Sequence, residues 1–256
     1  MRRFDGRRVV VTGAGSGIGQ GIAMRLLDEG AELVAADINE EGLAATVDKV
    51  GDAAADRLRT VVVNTADPDS VRAATASALE QLGGLDVLVN AAGVLRPAHT
   101  HELPLEVWNQ VIGVNLTGTF LMTQAALPAL LETGNGVVVN LSSTAAFSAA
   151  PYLASYAASK GGVTAFTHAI ALEYAKQGLR AVNIVPAGIV SNITTKSIAD
   201  QPEGFDPSLF ARMIGWLNGG ALGQPEDIAG VVAMVASDDG RYMTGTEIRV
   251  DGGALM

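Results

Sequence analysis

The chain has 256 residues, with 17 Lys+Arg against 27 Asp+Glu and a formal net charge of −10. That acidity, without clustered basic side chains, excludes a protein built to grip nucleic-acid phosphates. Hydrophobic residues at 48% and charged ones at 17% exclude whole-chain disorder, and the absence of cysteine excludes disulfides, thiolate metal sites and cysteine nucleophiles.

The N-terminal Met1–Arg8 is basic, but the apolar run behind it, Val9-Val10-Val11, is too short for a signal-peptide core. No run of consecutive apolar residues approaches the roughly 18–20 of a membrane span, so a cytoplasmic protein without a membrane partner is expected. Seven short β-branched or aliphatic runs then recur along the chain: Arg8–Thr12, Glu32–Asp37, Leu58–Asn64, Leu85–Asn90, Gly136–Leu141, Arg180–Val185 and Glu247–Val250. Most are nearly continuous in Val, Leu and Ile, as strands buried on both faces of a parallel sheet must be. Helix openings lie between them: Asn39-Glu40-Glu41, Asp67-Pro68-Asp69-Ser70 and Gln224-Pro225-Glu226-Asp227 combine capping residues, Pro at the first helical position and an acidic first turn. The series of strands alternating with about six helices has no linker in it, so one doubly wound α/β domain over residues 1–256 is expected, with helices on both faces of the sheet. Residues 191–222 break the pattern. They carry no strand signal, contain Gly and Pro breaks, and scatter Ile193, Ile198, Phe205, Phe210, Met213, Ile214, Trp216 and Leu217 among polar residues. A stretch of this kind reads as a substrate-binding lid, with a helical hairpin packed on the body as the alternative.

The first strand runs into Thr12-Gly13-Ala14-Gly15-Ser16-Gly17-Ile18-Gly19 and a helical segment. Glycines in such a turn let the backbone approach a pyrophosphate, and the following helix N-terminus offers unpaired N–H groups to it. Asp37 ends the second strand 18 residues past Gly19, where a carboxylate can bond an adenosine ribose. A 2′-phosphate would meet that carboxylate, Ile38 follows in place of Arg, and the turn holds no cation, so NAD is favoured over NADP. No Gly-Lys-Ser/Thr follows the glycines, which excludes a P-loop.

Tyr156 and Lys160 stand four residues apart in Tyr156-Ala157-Ala158-Ser159-Lys160, on one face of a helix, where the cation is expected to pull the phenol below its usual pKa. Ser143 closes the fifth strand in Asn140-Leu141-Ser142-Ser143, so its hydroxyl reaches the carboxyl edge of the sheet, where it can hold a substrate oxygen. Ser142 reads as structural. Asn90-Ala91-Ala92-Gly93 ends the fourth strand with small residues that permit close backbone approach to a cofactor. Asn115, within Val114-Asn115-Leu116-Thr117-Gly118, is a polar residue in an apolar helix, which a hydrogen-bonded core amide also explains.

Taken together these residues resemble the short-chain dehydrogenase/reductases of single-domain length, end to end: Thr12–Gly19, Asp37, Asn90–Gly93, Asn115, Ser143, Tyr156, Lys160, Pro225-Glu226-Asp227-Ile228-Ala229 and Thr244-Gly245 through Val250-Asp251-Gly252-Gly253. The resemblance implies a Rossmann-type seven-stranded sheet and an alcohol–ketone oxidoreductase. It implies Tyr156 as general acid/base, Lys160 lowering its pKa and binding the nicotinamide ribose, Ser143 orienting the substrate oxygen, and Asn115 holding a water in a proton relay. Implied NAD contacts are Gly13, Ser16, Gly17, Ile18, Gly19, Asp37, Asn64, Thr65, Asn90, Ala91, Gly93, Pro186, Gly188, Val190 and Asn192, besides Tyr156 and Lys160. Three positions depart from the family pattern: Pro186-Ala187-Gly188 where Pro and Gly usually adjoin, Asn192 beside Ser191 and Thr194 where a Thr is usual, and Asn64 in place of the adenine-side Asp.

Leu95, Ala145, Ala146, Leu153 and the 191–222 segment are expected to line the substrate pocket, and their apolar or small side chains suit a bulky apolar alcohol or ketone such as a steroid, terpenoid, alicyclic alcohol or 3-hydroxyacyl group. Arg96 reads as solvated, with an acidic substrate as the alternative. His99 and His101 read as solvent-facing and His168 as a surface or interface residue, and no metal site is expected. The segment Phe120–Leu131 is apolar on more than one face, and the Tyr156–Lys176 helix is rich in Ala, Gly and Ser, so a homo-oligomer is expected. The resemblance implies a tetramer. Alternatives are a 3-oxoacyl-[acyl-carrier-protein] reductase-like enzyme, disfavoured by Asp37 and the acidic charge, and a dinucleotide sensor without turnover, disfavoured by the intact Asn115, Ser143, Tyr156 and Lys160. A serine hydrolase is disfavoured because no Gly-x-Ser-x-Gly elbow is present.

Overall fold

The computed structural model describes residues 2–210 and 215–256. Met213 and Ile214 lie outside the described residues, as do the side chains of Ile198 and Phe210. Seven strands, β1 (Arg8–Thr12), β2 (Glu32–Asp37), β3 (Leu58–Val62), β4 (Val87–Asn90), β5 (Val137–Leu141), β6 (Arg180–Pro186) and β7 (Thr246–Val250), form one parallel sheet in the order β3-β2-β1-β4-β5-β6-β7. Alternate residues feed two cores. Val9, Val11, Leu33, Val87 and Val139 pack on one side with Ile22, Leu26, Ile228 and Val232, from helices α1 (Gly17–Asp28) and α10 (Pro225–Ala236). Val10, Val34, Leu88, Val138 and Ala181 pack on the other with Ala74, Met122, Leu130 and Ile170, from α4 (Pro68–Leu82), α6 (Gly118–Glu132) and α7 (Ala154–Glu173). Burial on both faces is what the near-continuous aliphatic runs encode.

The predicted starts of three helices are seen with their caps: Asn39 accepts from Gly42 N before α2 (Glu40–Lys49), Asp67 from Asp69 N before α4, and Asp227 from Gln224 N at α10. Some strand ends shift from the predicted runs. β3 stops at Val62 because Asn64 folds back on its own loop, its Oδ1 accepting from Ala66 N and its N–H donating to Ser70. β4 starts at Val87; Asp86 before it still bonds Arg8 and Val137 through its backbone, and its carboxylate adds bonds to the Arg8 backbone N–H and guanidinium, at 2.8 and 2.9 Å. Helix α5 (Leu105–Ile112) runs through a π turn, Gly113–Thr117, into α6, so 105–132 is one helical stretch long and apolar enough by length and composition to cross a membrane. Here Met122, Ala126 and Leu130 of that stretch are buried on the sheet.

One row of the sheet is polar. Asn90, Asn140 and Asn183 lie side by side in register on β4, β5 and β6, buried on the α6/α7 face. Asn90 donates to Asn140 at 2.9 Å, Asn140 donates to Thr167 of α7 at 2.8 Å, and the Thr167 hydroxyl donates to Asn183 at 2.8 Å.

At the foot of β6, Arg180 is buried, has no carboxylate partner among the described residues, and donates to the carbonyls of Val235 (2.8 Å), Ser237 (3.2 Å) and Gly240 (3.0 Å). Its cation thus stands at the C-terminal end of α10, where the helix dipole is negative. Replacing Arg180 by Met leaves those carbonyls unpaired and is expected to cost about 2–4 kcal/mol in urea unfolding, whereas a cost under about 1 kcal/mol would mean that water takes over the bonds.

Candidate active site

The strand order reverses between β1 and β4, and the loops leaving the carboxyl ends of the strands meet there. Thr12 fastens the two sides: its buried hydroxyl accepts from Ala91 N at 3.1 Å and Ala92 N at 3.2 Å. Gly13 adopts φ +70°, and a Cβ there would stand 2.7 Å from Ala92 N, so only glycine allows this approach. Helix α1 follows with Ser16 as its cap, making no side-chain bond, and no acid in the first turn, so the N–H groups and positive end of the helix are uncompensated. Ile18 packs, partly buried, on the core behind them. Beside the turn, Asp37 accepts from Gly15 N and from Asn39 N, both at 2.9 Å. A bare helix N-terminus next to a strand-end carboxylate fits the pyrophosphate and ribose of a dinucleotide.

The remaining expected cofactor positions divide. Ala91 and Gly93 lie in the β4 turn, and Gly93 faces the catalytic end: a Cβ there would be 3.3 Å from Asn115 Oδ1 and 3.8 Å from Lys160 Nζ. The Asn90 side chain turns the other way, into the polar row. Asn64 is exposed and engaged with its own loop, while Thr65 is buried against Gly118. Pro186 is buried at the end of β6, and Gly188 and Val190 are exposed, bonded to Gly223 in a short bridge. Helix α8 (Asn192–Ala199) begins there, with Ser191 Oγ accepting from Thr194 N. A Cβ on Gly17 would stand 3.0 Å from Ser191 Cβ, so Ser191, not the exposed Asn192, lies against the glycine turn.

Ser143, Tyr156, Lys160 and Asn115 converge at the ends of β4 and β5. The Ser143 hydroxyl accepts from Ala145 N at 3.2 Å and bonds the Tyr156 phenol. Lys160 Nζ donates to the Leu141 carbonyl at 2.6 Å and stands 5.7 Å from the centre of the Tyr156 ring. Asn115 is fully buried in the π turn. Its Oδ1 accepts from Val94 N at 2.8 Å, and its Nδ2 donates to Val94 O at 2.9 Å and Ser159 Oγ at 3.0 Å, so the side chain braces the loop after β4. Ser142 is structural, bonded to Thr164 and to the Lys160 carbonyl.

One electrostatic expectation reverses. Burial pushes the Tyr156 phenol above its ordinary value, and the bond from Ser143 offsets this only in part. The ammonium stands 5.7 Å from the ring centre, and desolvation dominates. The same burial brings Lys160 down to about 8.

His99 is not simply solvent-facing. Its Nε2 lies 2.9 Å from the Glu203 carbonyl and its ring stands edge-on to Tyr152 at 5.1 Å. Tyr152 itself holds φ +64°, the only non-glycine residue in the left-handed region among the described residues, and its ring packs on Phe205 at 5.2 Å. Nothing in the local sequence marks Tyr152, because its partners lie some 50 residues away on either side. His168, on the α7 surface, pairs with Glu247 of β7 at 2.7 Å. Among the described residues no cluster of three metal-binding side chains occurs.

A family model described as "Enoyl-(Acyl carrier protein) reductase" matches residues 13–254. The chain is 38% identical over 255 residues to a cyclohexanol dehydrogenase of Acinetobacter sp. strain SE19, covering 98% of this chain and 95% of that protein. This chain belongs to the short-chain dehydrogenase/reductase family. A 3-oxoacyl-[acyl-carrier-protein] reductase of Thermotoga maritima is 35% identical over 254 residues, covering 99% and 100% of the two chains. The crystal structure of a levodione reductase superposes with a TM-score of 0.90 at 32% identity, over 97% of each chain. As a short-chain dehydrogenase/reductase, the protein is an oxidoreductase acting on CH–OH donors with a nicotinamide cofactor.

The displaced lysine has a thermodynamic signature. Because Lys160 is lowered from 10.5 to about 8, the unfolded chain binds the proton that the folded one has lost between those values, and stability rises with pH across that window. Unfolding at pH 8 and pH 10 is expected to show wild type gaining roughly 2–3 kcal/mol relative to Lys160→Met; parallel curves would mean the ammonium is solvated.

Proposed function

We propose that this protein is an NAD-dependent dehydrogenase/reductase interconverting a secondary alcohol and a ketone on a bulky, apolar, alicyclic substrate. The observation that carries the reading is the convergence of Ser143, Tyr156 and Lys160 at one strand end. A bound dinucleotide supplies the hydride donor or acceptor. The Ser143 hydroxyl holds the substrate oxygen, and Tyr156 gives that oxygen a proton in reduction or takes one in oxidation. Lys160, anchored on the Leu141 carbonyl, presents a cation beside the phenol at neutral pH and reaches toward the nicotinamide ribose. Asn115 keeps the π turn and the Val94 backbone in place and holds a relay water. Gly13, Ser16, Gly17, Ile18 and Gly19 take the pyrophosphate, Asp37 the adenosine ribose, Asn64 and Thr65 the adenine side, and the Asn90 backbone, Ala91, Gly93, Pro186, Gly188 and Val190 the nicotinamide half, with Ser191 in place of Asn192 beside the glycine turn.

Asp37 supports NAD, since a 2′-phosphate would face its carboxylate beside the exposed Ile38, which offers no cation. Cyclohexanol dehydrogenase, the relative at 38% identity, supports the alicyclic class. The 191–222 segment is proposed as the lid within a single domain, and the protein as a cytoplasmic homo-oligomer, a tetramer, with α6 and α7 at the interface. Half-exposed Phe120 of α6 meets Phe166 of α7 edge-on, making an aromatic patch suited to a second copy. The Thermotoga relative favours a second reading, a 3-oxoacyl-carrier-protein reductase. Asp37 weighs against a 2′-phosphorylated cofactor, and the net charge of −10 against a basic patch for docking a carrier protein.

Absorbance at 340 nm with NAD or NADP against steroid, terpenoid, alicyclic and 3-hydroxyacyl alcohols is expected to show NAD reduction with alicyclic alcohols, faster at pH 7.5 than at pH 6 because the raised phenol must lose its proton to act as base while Lys160, at about 8, still carries its charge. NADP-only turnover would refute the Asp37 argument. The Tyr156→Phe variant is expected to bind NAD as wild type does and to lose at least about 100-fold in kcat; retained turnover would remove Tyr156 from the role.

A further inference from the structure

Tyr152 stands one helical turn before Tyr156, in the loop that delivers α7, and it joins three loops at once. Its carbonyl accepts from Ala98 N at 2.9 Å, which ties it to the loop after β4. Its hydroxyl accepts from Asp206 N at 3.2 Å and its ring packs on Phe205, which ties it to the segment between α8 and α9 (Pro207–Phe210). His99 closes the triangle, edge-on to the Tyr152 ring and bonded to the Glu203 carbonyl. The backbone of Tyr152 sits at φ +64°, a conformation that costs a non-glycine residue free energy and persists where its surroundings demand it. Glycine would fit that backbone without strain, so the tyrosine is present for its side chain.

We propose that Tyr152 is a positioning residue for substrate: through His99 and Phe205 it holds residues 203–206 against the loop after β4 and so fixes the outer wall of the substrate cleft. The proposal rests on the alcohol–ketone reading for what the cleft receives, but the clamp itself is a property of the chain. The wall belongs to the ring-binding end of the cleft, since Phe205 and Tyr152 offer aromatic faces and the proton-transfer groups lie one turn further along α7. Loosening the clamp therefore acts on substrate retention and leaves the proton-transfer step in place.

Two measurements test it. Hydrogen–deuterium exchange of the peptide spanning residues 200–209 is expected to speed up at least tenfold in Tyr152→Gly, which keeps the backbone conformation and deletes the ring, with a smaller increase in Tyr152→Phe, which keeps the ring and loses the hydroxyl. Phe205→Ala, on the opposite side of the clamp, is expected to speed the same peptide and serves if Tyr152→Gly does not fold. Steady-state kinetics with cyclohexanol are expected to show KM raised about tenfold in Tyr152→Gly with kcat within about threefold, and most of the KM restored in Tyr152→Phe. Exchange unchanged in both Tyr152→Gly and Phe205→Ala overturns the clamp, whether or not any alcohol is turned over. Faster exchange with KM unchanged and kcat reduced overturns the positioning role. Absence of turnover by wild type with every alcohol strikes the alcohol–ketone reading and leaves the exchange result to decide the clamp.

Discussion

Helix α7 is fastened to the sheet through one polar stripe, Lys160, Thr164 and Thr167, and the geometry of the catalytic end depends on that fastening. The three residues recur at the spacing of one helix face. Lys160 Nζ reaches the Leu141 carbonyl, Thr164 meets Ser142, and Thr167 stands between Asn140 and Asn183. Side-chain bonds have direction where aliphatic contacts do not, so the stripe sets the height and rotation of the helix against β5 and β6. Tyr156 lies one turn above Lys160, and its distance from Ser143 follows from this seating. Tyr156, Lys160 and Ser143 are thus held by a helix and a strand end, whereas Val94, His99 and Phe205 stand on loops.

The nucleotide end is built on the opposite logic. There the chain withholds side chains: glycine at Gly13 and Gly19, no capping bond from Ser16, no acid in the first turn of α1. Backbone donors at the start of α1 replace charged groups, and the acid beside the turn, Asp37, is bonded to Gly15 N and Asn39 N. An acidic protein thereby presents a local attraction for an anion without any cation at the site.

Much of this was legible in the sequence. Near-continuous aliphatic runs marked the inner strands because a strand buried on both faces has no polar side to show, the edge strands β3 and β7 carried polar residues among their β-branched ones, and the Gly-rich turn, the strand-end Ser143 and the Tyr156/Lys160 pair announced themselves by local spacing. What failed to show depends on distance along the chain. The fate of the Asn64 and Asn90 side chains is decided by tertiary partners, Ala66 and Ser70 for one and Thr123 and Asn140 for the other. The sign of the Tyr156 shift is decided by burial, which the i, i+4 spacing to Lys160 does not report. His99 reads as a solvated loop residue until the Glu203 carbonyl and Tyr152 are folded against it. The 191–222 segment gave no periodic pattern, and its described part holds two short helices, α8 and α9, and a 3-10 turn at Leu217–Gly220.

The row Asn90, Asn140, Asn183 also has a meaning for how the chain finds its native pairing. Parallel strands of nearly uniform valine have little to distinguish one alignment from the next, since a slide by two residues puts Val on Val again. A slide by one residue would drive an amide into the apolar core on the α1/α10 side, and a slide by two would break the Asn90–Asn140 bond that links the two strands. The three asparagines therefore act as a key cut across the middle of the sheet, giving three otherwise interchangeable strands a single alignment.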